Sequence, residues 1–340
     1  MTDHTSLTNY RDPLDTQGGS AVQRNRELVR CAVLAANSHN TQPWLFDVSA
    51  DRITLRTDPR RACPVVDPDN HHMFVSLGCA AENIVIAATG YGLNVVPRIT
   101  QGGTVIEIDL KGGDIAPSPL IAAIPLRQST RGAYDGSALT DAEKRALTQA
   151  ATAPNVSFQL LQTTKDKAAL REIVVAGNTD QMRNPAFVEE LTHWLRFSPR
   201  KAGHQRDGLF GKCLGNPGLP EWLGRMIFPL VYRVGPETAK LRARIDGSST
   251  LAVFVSHHDM PKNWIETGRA FQRFALVATS LGLLNAHINQ AVEVPAQRAR
   301  VANLLGLAAG RPSLVLRIGH GERLPYSYRR DIGDVLQKSE

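Results

Sequence analysis

Residues 78–93 and 268–283 align without a gap at an offset of 190 (268 − 78), and no other feature limits the fold of this chain so tightly. Identities fall at Gly78/Gly268, Ala80/Ala270, Ala88/Ala278, Thr89/Thr279, Gly92/Gly282 and Leu93/Leu283. Each copy reads as a long apolar helix closed by a glycine suited to the left-handed position beyond a helix C-terminus. A second set, Arg30, Ala35, Ala36 and Asn40 against Arg145, Ala150, Ala151 and Asn155, agrees at an offset of 115 (145 − 30). The difference, 190 − 115 = 75, predicts an insertion in the second copy. Residues 178–240 suit it: amphipathic helical pieces (186–197 and 221–232) surround the Gly- and Pro-rich stretch 211–220. Strands are expected at Ile53–Leu55, Val105–Leu110, Phe158–Leu161, Leu251–Val255 and Leu314–Ile318, alternating with helices. The expected class is α+β, built as a first half over 20–115 and a second over 120–336, with a lid-like insertion at 178–240.

Composition excludes several alternatives. At 340 residues, 42% hydrophobic and 21% charged, the chain is ordinary for a folded protein. Cys31, Cys63, Cys79 and Cys213 show no CxxC pair, so neither a disulfide framework nor a zinc site is expected. Residues 1–20 carry Asp3, Arg11, Asp12 and Asp15 without an apolar core, and no uninterrupted apolar run suits a membrane span. A reducing, cytoplasmic setting is the expectation. The net charge of +7 comes from dispersed Lys and Arg with no aromatic–basic reading motif, which argues against nucleic acid. His71-His72 and His257-His258 are adjacent pairs whose side chains should diverge, so no metal site is expected.

Two segments carry candidate chemistry. In Ser38-His39-Asn40-Thr41-Gln42-Pro43-Trp44, a hydroxyl, an imidazole and two carboxamides follow the helical run Leu28, Val29, Ala32, Val33, Ala35, Ala36. Pro43 ends any helix and biases Gln42 towards an extended conformation. The amides could match a heterocycle with alternating donors and acceptors; equally, the segment could be a capped helix end with a core tryptophan. In Arg127-Gln128-Ser129-Thr130-Arg131, a helical turn would put the two arginines on one face beside Gln128 and Ser129. Fork-shaped donors with a hydroxyl and little acid suit a phosphate monoester, although two arginines near a helix start are more often solvated or paired with acids. Thr140 and Glu143 then form a capping box.

Together these segments resemble the nitroreductase family, whose Ser-x-x-Asn-x-Gln-Pro-Trp-like and Arg-x-Ser-x-Arg-like elements both face FMN. The first half keeps the Pro-Trp bend without the arginines, and the second keeps the arginines without the bend. This is similar to the Acg-type branch, in which a duplicated chain forms its own pseudo-dimer with one flavin under a lid. The resemblance implies noncovalent FMN held by Ser38, His39, Asn40, Gln42, Arg127, Gln128, Ser129 and Arg131. By position it adds His287 and Ile288 against the ring, Asn289 or Gln290 as donor to N5, and Arg329 or Arg330 at the phosphate. It implies reduction of a nitro or quinone acceptor, possible partnership with NAD(P)H, and no catalytic side chain, because the cofactor carries the redox change. Flavin storage under a closed lid, and oxidation of a specialised metabolite, are the alternatives. An internal pseudo-dimer permits a monomer or a homodimer.

Overall fold

The computed structural model describes residues 10–17 and 19–337. In chain order, α1 (Ala21–Ala32) is followed by β1 (Trp44–Val48), β2 (Arg52–Thr57), α2 (His71–Ala88), β3 (Arg98–Thr100) and β4 (Val105–Asp109). The plan starts again with α3 (Asp141–Ala151) and β5 (Val156–Leu161). Then come α4 (Thr164–Arg183), α5 (Pro185–Trp194), β6 (Leu195–Arg196), α6 (Pro199–Gln205), β7 (Leu209–Phe210), α7 (Glu221–Val231) and α8 (Val234–Asp246). It resumes at β8 (Thr250–Ser256), α9 (Pro261–Ser280), β9 (Leu284–His287), α10 (Gln290–Glu293), α11 (Pro295–Leu304) and β10 (Arg311–Gly319), before α12 (Ile332–Val335).

The two large sheets share one topology. Their orders are β1-β2-β4-β3 and β5-β8-β10-β9, so each half places its first, second, fourth and third main strand side by side. All these pairings are antiparallel. β1 and β2 join through a tight turn, whereas residues 162–249 separate β5 from β8; the stretch 178–240 lies inside that excursion.

The five expected strands fall in β2, β4, β5, β8 and β10. Three edge strands were not expected: β1, β3 and β9. Leu284–His287 in particular reads from sequence as a turn after a helix. It is a strand because β10, buried along its whole length, offers it a register from Leu316↔His287 to Gly319↔Leu284. Such pairing is set by the partner, not by local propensity.

α2 and α9, the repeated helices, cross at the centre of the core. A Cβ added to Gly78 would lie 2.0 Å from the Ile265 carbonyl oxygen, and one added to Gly268 would lie 2.0 Å from that of Val75. Because 75 + 190 = 265, these contacts are reciprocal: each copy meets the other through equivalent residues. Isologous contact across a twofold axis has this property. Around the crossing, Leu77, Ile84, Phe271 and Phe274 are buried, and Glu82 is paired to Arg269 (3.0 Å) and Arg273 (2.7 Å). The stretch His71–Tyr91 is long and apolar enough to cross a membrane by length and composition, but 78% of its apolar window is buried inside the fold.

Candidate functional site

The bend 38–43 is built from unusual backbone. His39, Asn40 and Gln42 have φ of +48°, +53° and +53°, in the left-handed region that costs L-residues energy. Gln42 is therefore not extended, although it precedes proline. Its conformation is held from outside: Asn37 Oδ1 accepts from Gln42 N (2.9 Å), and the Gln42 amide donates to Arg206 O (2.8 Å) and accepts from Arg330 N (2.8 Å). Trp44, wholly buried, belongs to the core.

The two carboxamides serve a different purpose from the one expected. Asn40 Nδ2 donates to Gly208 O (3.1 Å) and Tyr328 O (3.2 Å), while its Oδ1 accepts from Arg329 Nη1 (2.9 Å). Gly208 N returns a bond to Asn40 O (3.1 Å). An amide side chain has two donor hydrogens, and both of Asn40's are used. Asn40 and Gln42 thus clamp the 206–208 loop of the excursion and the 328–330 arm onto the bend, and neither lines the adjoining cavity. Asn40→Ala is expected to destabilise the fold by about 1–3 kcal/mol by orphaning buried groups, read in urea unfolding.

Ser38 and His39 do line a cavity of about 200 Å³, together with Cys79, Arg131, His287 and Asn289. His39 Nδ1 is 3.1 Å from Ser38 Oγ. Burial, reinforced by the positive charge of Arg131, holds His39 down to about 4 and His287 to about 3, so both rings are neutral near pH 7. Ile288 is not at the cavity. Adjacent strand residues face opposite ways, and Ile288 packs with Leu170, Val174 and Val315 in a second apolar cluster. Asn289 Oδ1 accepts from Val315 N (2.9 Å), pinning the turn to β10, whereas Gln290 Oε1 is buried without a partner.

Residues 127–131 are irregular, in neither helix nor strand. The expected helical turn that would put Arg127 and Arg131 on one face is absent; within the segment Arg127 and Thr130 are the buried residues. Thr130 N donates to Asn285 O (2.9 Å), fixing the segment beside β9. Arg127 is 3% exposed; its Nη2 donates to Leu34 O (3.1 Å), but Nε and Nη1 have no partner, nor has Gln128 Nε2. Ser129 is half-buried in this segment.

Arg127 joins two regions. Its charge acts on Cys79 and His287 at the cavity, and on Arg11 and Arg329 on its other side. Burial and mutual repulsion bring Arg11 to about 10 and Arg329 well below the usual arginine range; burial alone brings Arg127 to about 10. Arg11 donates to Pro125 O and lies over the Tyr326 ring. Among the described residues none of these three is in an ion pair. Arg330, by contrast, sits near Asp58 (3.8 Å) and donates to Asp334 O (2.8 Å), so of the two tail arginines only Arg329 belongs to the cluster. Sequence reasoning passed over Arg11: an arginine within Tyr-Arg-Asp-Pro carries no pattern, and only the fold brings it to Arg127.

Asp67, His71 and His72 also converge, with donor atoms within 4.8 Å of one another and the two imidazoles 4.7 Å apart. The expected divergence of the histidines is thus not realised. At the first turn of α2 both rings are drawn inward, His71 against Trp264 and His72 towards Glu293. The Asp67 carboxylate already accepts from His72 N (3.0 Å) and Met73 N (3.1 Å), and Arg311 and Arg298 oppose added positive charge. The group caps the helix.

No family model matches the chain. A Mycobacterium tuberculosis protein provisionally named NAD(P)H nitroreductase, Rv3131 in strain H37Rv and MT3217 in strain CDC 1551, is 25% identical over 330 residues, covering 93% of this chain and 91% of its own. The likeness to that nitroreductase-named protein runs along nearly the whole chain. Among solved structures, the FMN-dependent nitroreductase NfnB of Mycobacterium smegmatis, in complex with NADPH, is 15% identical with a TM-score of 0.41, covering 64% of this chain and 96% of its own. An FMN-bound nitroreductase of Bacteroides fragilis is 17% identical with a TM-score of 0.38, covering 63% and 95%.

Proposed function

We propose that this protein binds one FMN in the cavity between the 38–43 bend and the 127–131 segment, and reduces an electron-poor nitro or quinone compound with electrons from NAD(P)H. The observation that carries this reading is Arg127: a buried guanidinium with two nitrogens unpartnered among the described residues, flanked by two further arginines and in no ion pair among those residues. Unpaired buried charge is costly, and a dianionic phosphate removes the cost. The donor types suit the parts of the cofactor, although of the donors only Arg131, Ser38, His39 and His287 line the cavity itself. Arg127, Arg329 and Arg11 would hold the phosphate, Ser129 and Gln128 the polyol chain, and Arg131, Ser38, His39 and His287 the ring.

FMN bound there would supply the redox chemistry, accepting a hydride equivalent from NAD(P)H and releasing two electrons to the acceptor. The protein's part is positional. Neutral His39 and His287 pack at the cavity without adding charge, Arg131 favours negative charge near the ring, and Gln290 offers an otherwise unpartnered amide at the same wall. The reciprocal crossing of α2 and α9 further suggests a fused ancestral dimer, with one pocket retained.

The decisive experiment is a visible spectrum of the purified protein, followed by titration of apoprotein with FMN. Failure to bind FMN at micromolar concentration would reject the assignment. Rapid anaerobic bleaching by NADH or NADPH is expected; a flavin that stays oxidised indicates storage under the excursion instead. Arg24→Ala should leave binding unchanged, because Arg24 only donates to Asn25 and Ala50 on the far side of α1.

A further inference from the structure

A second chamber of about 460 Å³ opens beside the ring cavity, and Arg131, Asn178, Leu191, Leu209, Tyr232 and Gln290 line both. Apart from Arg131 and Gln290, its walls come from the 162–249 excursion, which has no counterpart in the first half. They are mostly apolar: Leu195, Phe197, Ile227, Phe228 and Leu241 contribute. A space of that size holds a molecule of two or three aromatic rings.

Its charges do not balance. Glu237 and Lys240 neutralise each other at 2.8 Å, and Arg196 is paired to Asp207 at 2.7 Å. Arg244 has no carboxylate partner among the described residues; Nη2 reaches only Leu214 O, at 3.5 Å. Arg131 at the junction is likewise in no ion pair among the described residues. An apolar chamber with two unneutralised guanidiniums selects for an apolar body carrying an anionic group.

The geometry points to an amphipathic organic anion as the molecule that reacts here: a flat aromatic or quinonoid body in the excursion's chamber, with a carboxylate, sulfonate or phosphate held by Arg244. This deepens the reading of the neighbouring cavity as an FMN site and names the class of its acceptor. Occupancy of the chamber needs no flavin, so the two ideas can fail separately.

The test uses the full-length protein and two dyes with the same aromatic body, anionic 1-anilinonaphthalene-8-sulfonate and neutral N-phenyl-1-naphthylamine, titrated by fluorescence with and without FMN. The anion is expected to bind at least tenfold more tightly. Arg244→Gln should abolish that preference, Arg244→Lys should retain part of it, and Ile227→Trp, which fills the chamber, should weaken both dyes. With FMN bound, 4-nitrobenzoate should show a kcat/KM at least tenfold above nitrobenzene, and Arg244→Gln should erase the difference. Equal affinities for the two dyes, a preference that survives Arg244→Gln, or binding untouched by Ile227→Trp would overturn the proposal. Loss of FMN binding alone, with the dye results intact, would reject only the flavin site.

Discussion

Gly268→Ala is expected to lower the free energy of unfolding by about 3 kcal/mol or more, and Gly78→Ala by a similar amount. The added methyl in each case would sit 2.0 Å from a backbone carbonyl oxygen of the opposite helix, a contact no rotamer change can relieve. α2 and α9 would have to separate, loosening Phe271, Phe274, Leu77 and Ile84, whose burial contributes about 1.5–3 kcal/mol each. With total stabilities typically about 5–15 kcal/mol, the loss is large enough to show as poor solubility. Gly112→Ala is the control, since nothing lies within 4 Å of its added carbon; it should stay within about 0.5 kcal/mol of the parent. Urea unfolding of the three variants decides. A Gly268→Ala protein as stable as the parent would mean the helices do not meet there.

Arg127→Met should do two opposite things. In the apoprotein it should raise stability by about 1–3 kcal/mol, because it removes a buried charge with two unsatisfied nitrogens and sacrifices a single bond to Leu34 O. With FMN present it should lose, since a charged hydrogen bond to phosphate contributes about 1.5–3 kcal/mol. Combined with Arg131→Ala, affinity should fall by about 100- to 10,000-fold. Melting apoprotein and FMN-saturated protein side by side reads both effects. A variant less stable than the parent as apoprotein, yet still binding FMN stoichiometrically, would show that Arg127 is structural.

The arginines and the histidines differ in how legible they were. Arg127, Ser129 and Arg131 could be singled out by residue type alone, since the helical turn expected to align the two arginines is absent. His287 lines the cavity whereas Ile288 packs in a core cluster, a separation that depends on β9 existing at all. Asn40 and Gln42 were chosen for the right chemistry, the appetite of buried carboxamides for partners, and assigned the wrong partners. Their hydrogen bonds go to residues 206–208 and 328–330, about 165 and 290 positions away in sequence. No local pattern encodes such a meeting.

What the sequence determined alone is the duplicated helix, its glycines and the apolar stripes of five strands, because these follow from local periodicity and from where a side chain cannot fit. The three-dimensional fold alone decided which charges meet. Arg11, Arg127 and Arg329 are dispersed along the chain and become a cluster only when the packed halves bring them together, with no ion pair among the described residues. The same packing leaves Arg244 without a carboxylate partner among the described residues, in a mostly apolar chamber. Electrostatic consequence depends on distance and burial, and neither is written in residue order.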